Sequence, residues 1–141
     1  MLRFIYFLLF FLYFGKTFSA NVNLPSTFTT DASDWIQISN SGTTPAISGF
    51  TNAFVIIEAS VGNVKITTTS GLKAISSYCG YTASDERSES EPTNCNSGSL
   101  TELGFSGTQS NINSALESLR FKGNSGTITI KAYETASGVK Y

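Results

Sequence analysis

The stretch FSGTQSNINSALESLRF, residues 105–121, is unlike the rest of the chain, and its reading decides the fold. Around it the sequence is rich in Ser and Thr, punctuated by Gly, and broken into short β-branched runs. Within it, Ile112, Ala115, Leu116 and Leu119 recur at i, i+3, i+4 and i+7, the spacing that lines one stripe of a helix. Thr108 or Ser110 supplies an N-cap oxygen for the first turn, and Ser114, Glu117 and Ser118 then face water. After Leu119 the pattern changes to Arg120-Phe121-Lys122, a strand that Gly123 ends. The stretch therefore predicts strand, turn, short helix near residues 109–119, and strand. Leu103 to Phe105 enter one sheet, the helix crosses its end, and Leu119 to Phe121 return.

Outward from this segment, strand signals dominate. Trp35 to Ile38, Phe54 to Ala59, Val64 to Thr69 and Thr127 to Tyr133 are rich in β-branched and aromatic residues. The last alternates, with Ile128, Ile130 and Ala132 on one face and Thr127, Thr129, Lys131 and Tyr133 on the other, the pattern of an antiparallel sheet with one wet face. Gly62-Asn63 lies between two of these runs, where a tight hairpin is expected. Several short strands separated by turns point to an all-β fold, an antiparallel two-sheet sandwich with one connecting helix.

The N-terminus carries a different message. Arg3 precedes the unbroken apolar run Phe4 to Phe14, followed by the more polar Gly15 to Ala20. A run of this length falls short of the roughly 20 residues that span a bilayer, and it fits a secretory signal peptide over residues 1–19. Cleavage after Ser19 leaves small Thr17 and Ser19 at the −3 and −1 positions; an uncleaved signal anchor is the alternative. Residues 20–141 then form one domain, long enough to bury roughly two-thirds of its unfolded surface. Of the nine basic residues Arg3 and Lys16 leave with the signal, so seven face ten acidic ones, a formal charge of −3. The remaining Lys and Arg are scattered along the chain, which argues against a nucleic-acid partner. No second span is evident, so no membrane contact is expected after cleavage.

Two cysteines, Cys79 and Cys95, are present in the 141 residues. In an exported chain a disulfide between them is the default expectation, constraining the unfolded state by about 3 kcal/mol. The enclosed segment is polar and charged and reads as an exposed loop stapled at its base. Two thiols with no His anywhere fall short of a zinc site.

The runs Gly62 to Leu72, Leu103 to Thr108, Ile112 to Phe121 and Gly126 to Ile130 resemble the cadherin-like or immunoglobulin-like repeats of large bacterial-type surface adhesins. In that family a G-x-L-T-L strand leads to an F-x-G-T-x-x-x-I-N-x-A-L-x-x-L-x-Y phrase and ends in a G-T-x-x-L-T-I strand. The resemblance covers Ala53 to Tyr133, with Gly107-Thr108 and Ile112-Asn113-x-Ala115-Leu116 as its most specific part. It implies an immunoglobulin/cadherin-like β-sandwich used as a spacer or adhesive stalk, secreted or at the cell surface, with other extracellular proteins or surface glycans as partners. The Cys79 to Cys95 loop is an addition to the family pattern. One copy is present, and the chain stops just after its final strand, which leaves open that it is a piece of a longer array.

Readings as an enzyme find little. Gly104-Phe105-Ser106-Gly107 begins like a nucleophile elbow, but position 108 is Thr rather than Gly. No His exists to activate a Ser or Cys, and no carboxylate spacing argues for a glycosidase, so the expectation is a non-enzyme with no catalytic residue. Asp31 with Asp34, and Asp85, Glu86, Glu89 and Glu91, offer hard oxygen atoms for Ca²⁺, although no EF-hand pattern is present; no other cofactor or metal is expected. The competing function is carbohydrate binding, with Trp35, Tyr78 and Tyr81 as candidate stacking aromatics. Against it, Trp35 between polar Asp34 and apolar Ile36 fills a core, and Tyr78 and Tyr81 pack around the disulfide.

Overall fold

Both long edges of β4 (Asn52–Ala59) are taken, and that fact organises the rest. Its alternation sends Ala53, Val55, Ile57 and Ala59 to one side, where all are buried. The computed structural model describes residues 20–24, 33–74 and 93–135. Around β4 lie β1 (Asn21–Asn23), β2 (Ile36–Gln37), β3 (Ala46–Ser48), β5 (Asn63–Lys65), β6 (Lys73–Ala74) and β7 (Glu102–Thr108), then the helix α1 (Gln109–Glu117), β8 (Arg120–Lys122) and β9 (Ile128–Glu134). All pairings are antiparallel, in a four-stranded sheet of order β6-β7-β4-β9, a three-stranded sheet β2-β8-β5 and a two-stranded ribbon β1-β3. The described residues are thus mostly antiparallel β-structure with one α-helix, as the sequence predicts.

Register turns the strand patterns into a core. In the four-stranded sheet Leu103, Ile57 and Ile130 form one cross-strand row, and Phe105, Val55 and Ala132 form the next. In the three-stranded sheet Val64 and Phe121 are directly opposed and buried. Residues of both sheets and of α1 belong to one apolar cluster. On the outer side of the larger sheet Phe54 and Tyr133 stack at 6.0 Å, and Lys131 Nζ lies 2.7 Å from Glu58 Oε2.

The helix forms where its spacing says it should. The Thr108 hydroxyl accepts from the Asn111 N–H at 3.3 Å and caps the first turn. Ile112, Ala115, Leu116 and the following Leu119 are fully buried, each large one contributing about 2 kcal/mol of apolar burial. α1 joins β7 of one sheet to β8 of the other, so the segment does carry the chain from sheet to sheet. Its polar side chains bind backbone. Asn113 accepts from the Ile47 N–H at 2.8 Å and donates to the Ile47 carbonyl at 3.1 Å. Gln109 accepts from the Phe50 N–H at 2.9 Å, and Asn111 donates to the Gly71 carbonyl at 3.1 Å.

Four expectations need correction. Gly62-Asn63 does not close a hairpin: β4 and β5 belong to different sheets, because both edges of β4 are occupied and β5 pairs with β8. The turn passes so near the Lys122 carbonyl that a side chain at Gly62, φ +77°, would collide with it. The strand expected over Val64 to Thr69 stops at Lys65, since the Thr67 and Thr68 N–H groups donate to the Ser118 hydroxyl at 3.1 and 3.0 Å. Ser118 for the same reason is partly buried and holds this loop instead of facing water. The strand expected over Trp35 to Ile38 shrinks to Ile36–Gln37, with Ile38 opening a 3-10 turn.

Candidate functional site

The three-stranded sheet puts its apolar residues inward and a different set outward. Phe121 and Val64 point to the core, so the alternating positions Gln37, Arg120, Lys122, Asn63 and Lys65 share the opposite face, all partly buried against one another. Arg120 lies directly opposite both Gln37 and Lys65, and Lys122 lies opposite Asn63. Trp35, one residue before β2, joins this face: Lys65 Nζ sits over its ring, 4.5 Å from the centroid. The other side of the pocket around the indole is made by Gly98, whose missing side chain lets Trp35 in. A Cβ there would lie 2.9 Å from Trp35 Cζ2.

The electrostatics of this face are lopsided. Three of the five described Lys and Arg residues lie on it, and none of its three strands carries an acid. Among the described residues Lys65, Arg120 and Lys122 form no ion pair, while Lys131 on the other sheet is paired with Glu58. Arg120 Nε is buried with no hydrogen-bond partner among the described residues. Gln37 Nε2 is already engaged, donating to Ser39 Oγ at 2.9 Å and the Glu117 carbonyl at 3.0 Å. The Lys65–Trp35 contact contributes roughly 0.5–1 kcal/mol at such a partly exposed site. The directly opposed Lys65–Arg120 pair works against it, since like charges facing across a ladder destabilise it.

Trp35 is thus only partly buried and lies outside the apolar cluster, contrary to the expectation that it fills the core; parity with Gln37, not hydropathy, decides its side. Tyr78, Tyr81 and Cys79 lie outside the described residues, as do Asp31, Asp85, Glu86, Glu89 and Glu91. Cys95 is fully buried in the 3-10 turn Thr93–Asn96, and its carbonyl accepts from the Ile66 N–H at 3.2 Å. Asp34 is exposed at a bend, and among the described residues no three His, Cys, Asp or Glu side chains gather as metal ligands. Ser106 sits within β7 opposite Phe54, not on a strand-to-helix turn. A cleft lined by Phe50, Thr51, Gln109 and Glu134 has its polar groups turned to its own walls, with Gln109 accepting from the Phe50 N–H and Glu134 from the Thr51 N–H at 3.4 Å.

The cations were missed because they look scattered along the chain. The usable signal was local: Lys65 beside buried Val64, and Arg120 and Lys122 on either side of Phe121, all sit at outward positions of strands. Among the described residues no helix is long and apolar enough to cross a membrane. Compared with known proteins, the chain matches no family model, no curated protein and no solved structure.

Proposed function

We infer that this chain is an exported, non-enzymatic β-sandwich module of the immunoglobulin or cadherin-like kind, with an adhesive or structural role outside the cell. The observation that carries the reading is the double crossing of the chain between sheets. The turn after β4 and the helix after β7 each leave the four-stranded sheet for the three-stranded one, over a single shared cluster. That connectivity is what a two-sheet sandwich requires. The apolar N-terminal run and the Ser19 cleavage point supply the export. They are compatible with β1, which starts at Asn21 and pairs with β3 just beyond that point. A disulfide between Cys79 and Cys95 belongs to the reading, supported by the complete burial of Cys95 and by the lack of a free cysteine among the described residues. The non-enzymatic part rests on the sequence, which offers no His.

The test is the intact mass of the protein recovered from the medium of a secreting host, before and after reduction and alkylation. A chain beginning at Ala20, two hydrogens lighter than its reduced form and alkylated twice only after reduction, is the expected result. A chain retained in the cell, or one with two thiols open to alkylation in the native state, overturns it. For the adhesive role, beads displaying the domain should adhere to cells or to each other; beads that do neither leave only a structural role.

A second reading, a carbohydrate-binding module, is favoured by one observation. The single tryptophan stands at the edge of a polar sheet face with a lysine over its ring, where a sugar can reach it.

A further inference from the structure

We propose that the outer face of the three-stranded sheet, built from Lys65, Arg120 and Lys122 beside Trp35, is a binding site for acidic polysaccharide, the sugars bearing sulfate or carboxylate. The proposal deepens the carbohydrate-binding reading and rests on the chain acting outside the cell.

Three independent features converge on an anionic ligand. The first is charge segregation: a chain of formal charge −1 gathers three cations on one small sheet that carries no carboxylate of its own. The second is an unfavourable pair that stability alone would remove. Lys65 and Arg120 are directly opposed across β5 and β8, a position where an acid would be stabilising and a like charge is not. Lys65 recovers only a weak contact over the Trp35 ring, and local rules broken at such a cost tend to mark function. The third is Arg120, a partly buried side chain whose Nε has no hydrogen-bond partner and whose charge no carboxylate pairs with among the described residues. A guanidinium so placed can offer its outer edge to a planar carboxylate or a sulfate in two parallel hydrogen bonds.

Size and neighbourhood narrow the ligand class. Adjacent strands lie about 4.8 Å apart and residues on one face recur about every 7 Å, so the three cations, on neighbouring β5 and β8, span roughly 5 by 7 Å, and the face widens to roughly 10 Å with Trp35 on the β2 side, the footprint of a short oligosaccharide. The Asn63 amide, opposite Lys122, adds a hydrogen-bonding group suited to hydroxyls. Trp35, seated against Gly98, adds the flat apolar surface that a sugar ring uses and a sulfate ion does not, opened when Lys65 Nζ swings from that ring face to the ligand's anion. Nucleic acid would use the same cations, but three contacts give little affinity at physiological salt, and the chain's overall charge is negative. Anionic membrane gains only about 1 kcal/mol per Lys or Arg, and this face presents no apolar wedge to insert.

The experiment titrates the folded, exported protein with a heparin tetrasaccharide, an oligogalacturonate, neutral maltotetraose, a single-stranded oligonucleotide and phosphatidylserine vesicles, reading Trp35 emission and calorimetry. Binding of the sulfated or the uronate oligosaccharide, with a change in Trp35 emission and none for maltotetraose, is expected, and the two acidic arms identify the anion. Lys122→Gln and Arg120→Gln should each weaken it about tenfold or more, the loss of a charge-assisted contact, whereas Lys131→Gln on the other sheet leaves it unchanged. Lys122→Gln is a surface change, so the test survives even if Arg120→Gln folds poorly. The proposal is overturned if neither acidic sugar binds, if maltotetraose binds equally well, if Lys122→Gln has no effect, or if the oligonucleotide or the vesicles bind more tightly. An exported, disulfide-closed protein that ignores acidic sugars loses this site and keeps the module reading. A chain that binds them but is not exported keeps the site and loses the module.

Discussion

Asn113 is expected to be worth more to stability than its partly exposed position on the helix suggests. Its amide oxygen accepts from the Ile47 N–H at 2.8 Å and its nitrogen donates to the Ile47 carbonyl at 3.1 Å, so one side chain satisfies both backbone groups of a residue in β3. Among the described residues β3 has only the three residues of β1 as a strand partner, and Asn113 stands in for a second one. Asn113→Ala removes two hydrogen bonds of about 1 kcal/mol each. It also leaves two partly buried groups to find water, for a total near 2–3 kcal/mol. In a domain of this size that lowers Tm by roughly 8–12 °C. Urea denaturation followed by circular dichroism measures it, with Ser114→Ala as the control: Ser114 is exposed, bonds only to the Ser110 carbonyl within its own helix, and should change stability by less than about 0.5 kcal/mol. Asn113→Asp sharpens the test. It keeps the acceptor for Ile47 N–H but turns an anionic oxygen to the Ile47 carbonyl, so at neutral pH it should be no better than Ala. If Asn113→Ala matches the control, or if Asn113→Asp is as stable as the parent, the strand-like role assigned to this side chain is wrong.

Other outcomes follow from single contacts. Leu116 is fully buried, so Leu116→Asp places an unpaired carboxylate in the core and should cost more than about 4 kcal/mol, leaving little cooperative unfolding in a thermal scan; a variant of unchanged stability refutes the helix stripe. Gly98→Ala meets a left-handed φ of +75° and a Cβ position 2.9 Å from Trp35 Cζ2, costing about 1–2 kcal/mol in backbone alone, and should red-shift the emission of the only tryptophan; unchanged emission would show that the ring does not rest on Gly98. Lys131 donates to Glu58 at 2.7 Å, and this hydrogen bond raises its pKa above 10.5. A raised folded pKa favours folding fully below that value and fades as pH climbs through the folded one, so the parent should lose stability more steeply than Lys131→Met as pH rises past 10.5; parallel curves would exclude the linkage.

What could be read in the sequence was whatever depends on neighbours along the chain. β9 and the α1 stripe follow from periods of 2 and 3.6, and Thr108 caps because its oxygen lies three residues before Asn111 N–H. Apart from the side taken by Trp35, which strand parity with Gln37 decides, the failures are non-local. The β4–β5 turn looked like a hairpin because Gly62-Asn63 specifies a turn and says nothing about which strands flank it; β7 and β9, far off in sequence, had already taken both edges of β4. The Thr67 to Thr69 run has strand propensity, yet a single hydroxyl from Ser118 captures two of its N–H groups. The basic face was half legible: the outward parity of Lys65, Arg120 and Lys122 is local, but their assembly is not. Lys65 and Arg120 are remote in sequence and become neighbours only through the β5–β8 pairing.

The segment at residues 105–121 links the two levels. Its polar side chains Gln109, Asn111, Asn113 and Ser118 are engaged with backbone groups at residues 50, 71, 47 and 67–68, which makes the helix a fastener rather than a ligand surface. Yet it fixes where β8 begins. Ile38 N–H donates to the Leu119 carbonyl at 3.0 Å, and from that point Phe121 is directed to the core and Arg120 and Lys122 away from it. A slip of one residue would bury the arginine and expose the phenylalanine, so the register that completes the core is the same one that assembles the cationic face. The proposed site therefore cannot be lost by a shifted β8 without unfolding the domain. Substitutions such as Lys122→Gln, which leave Phe121 and Leu119 in place, separate binding from folding for that reason.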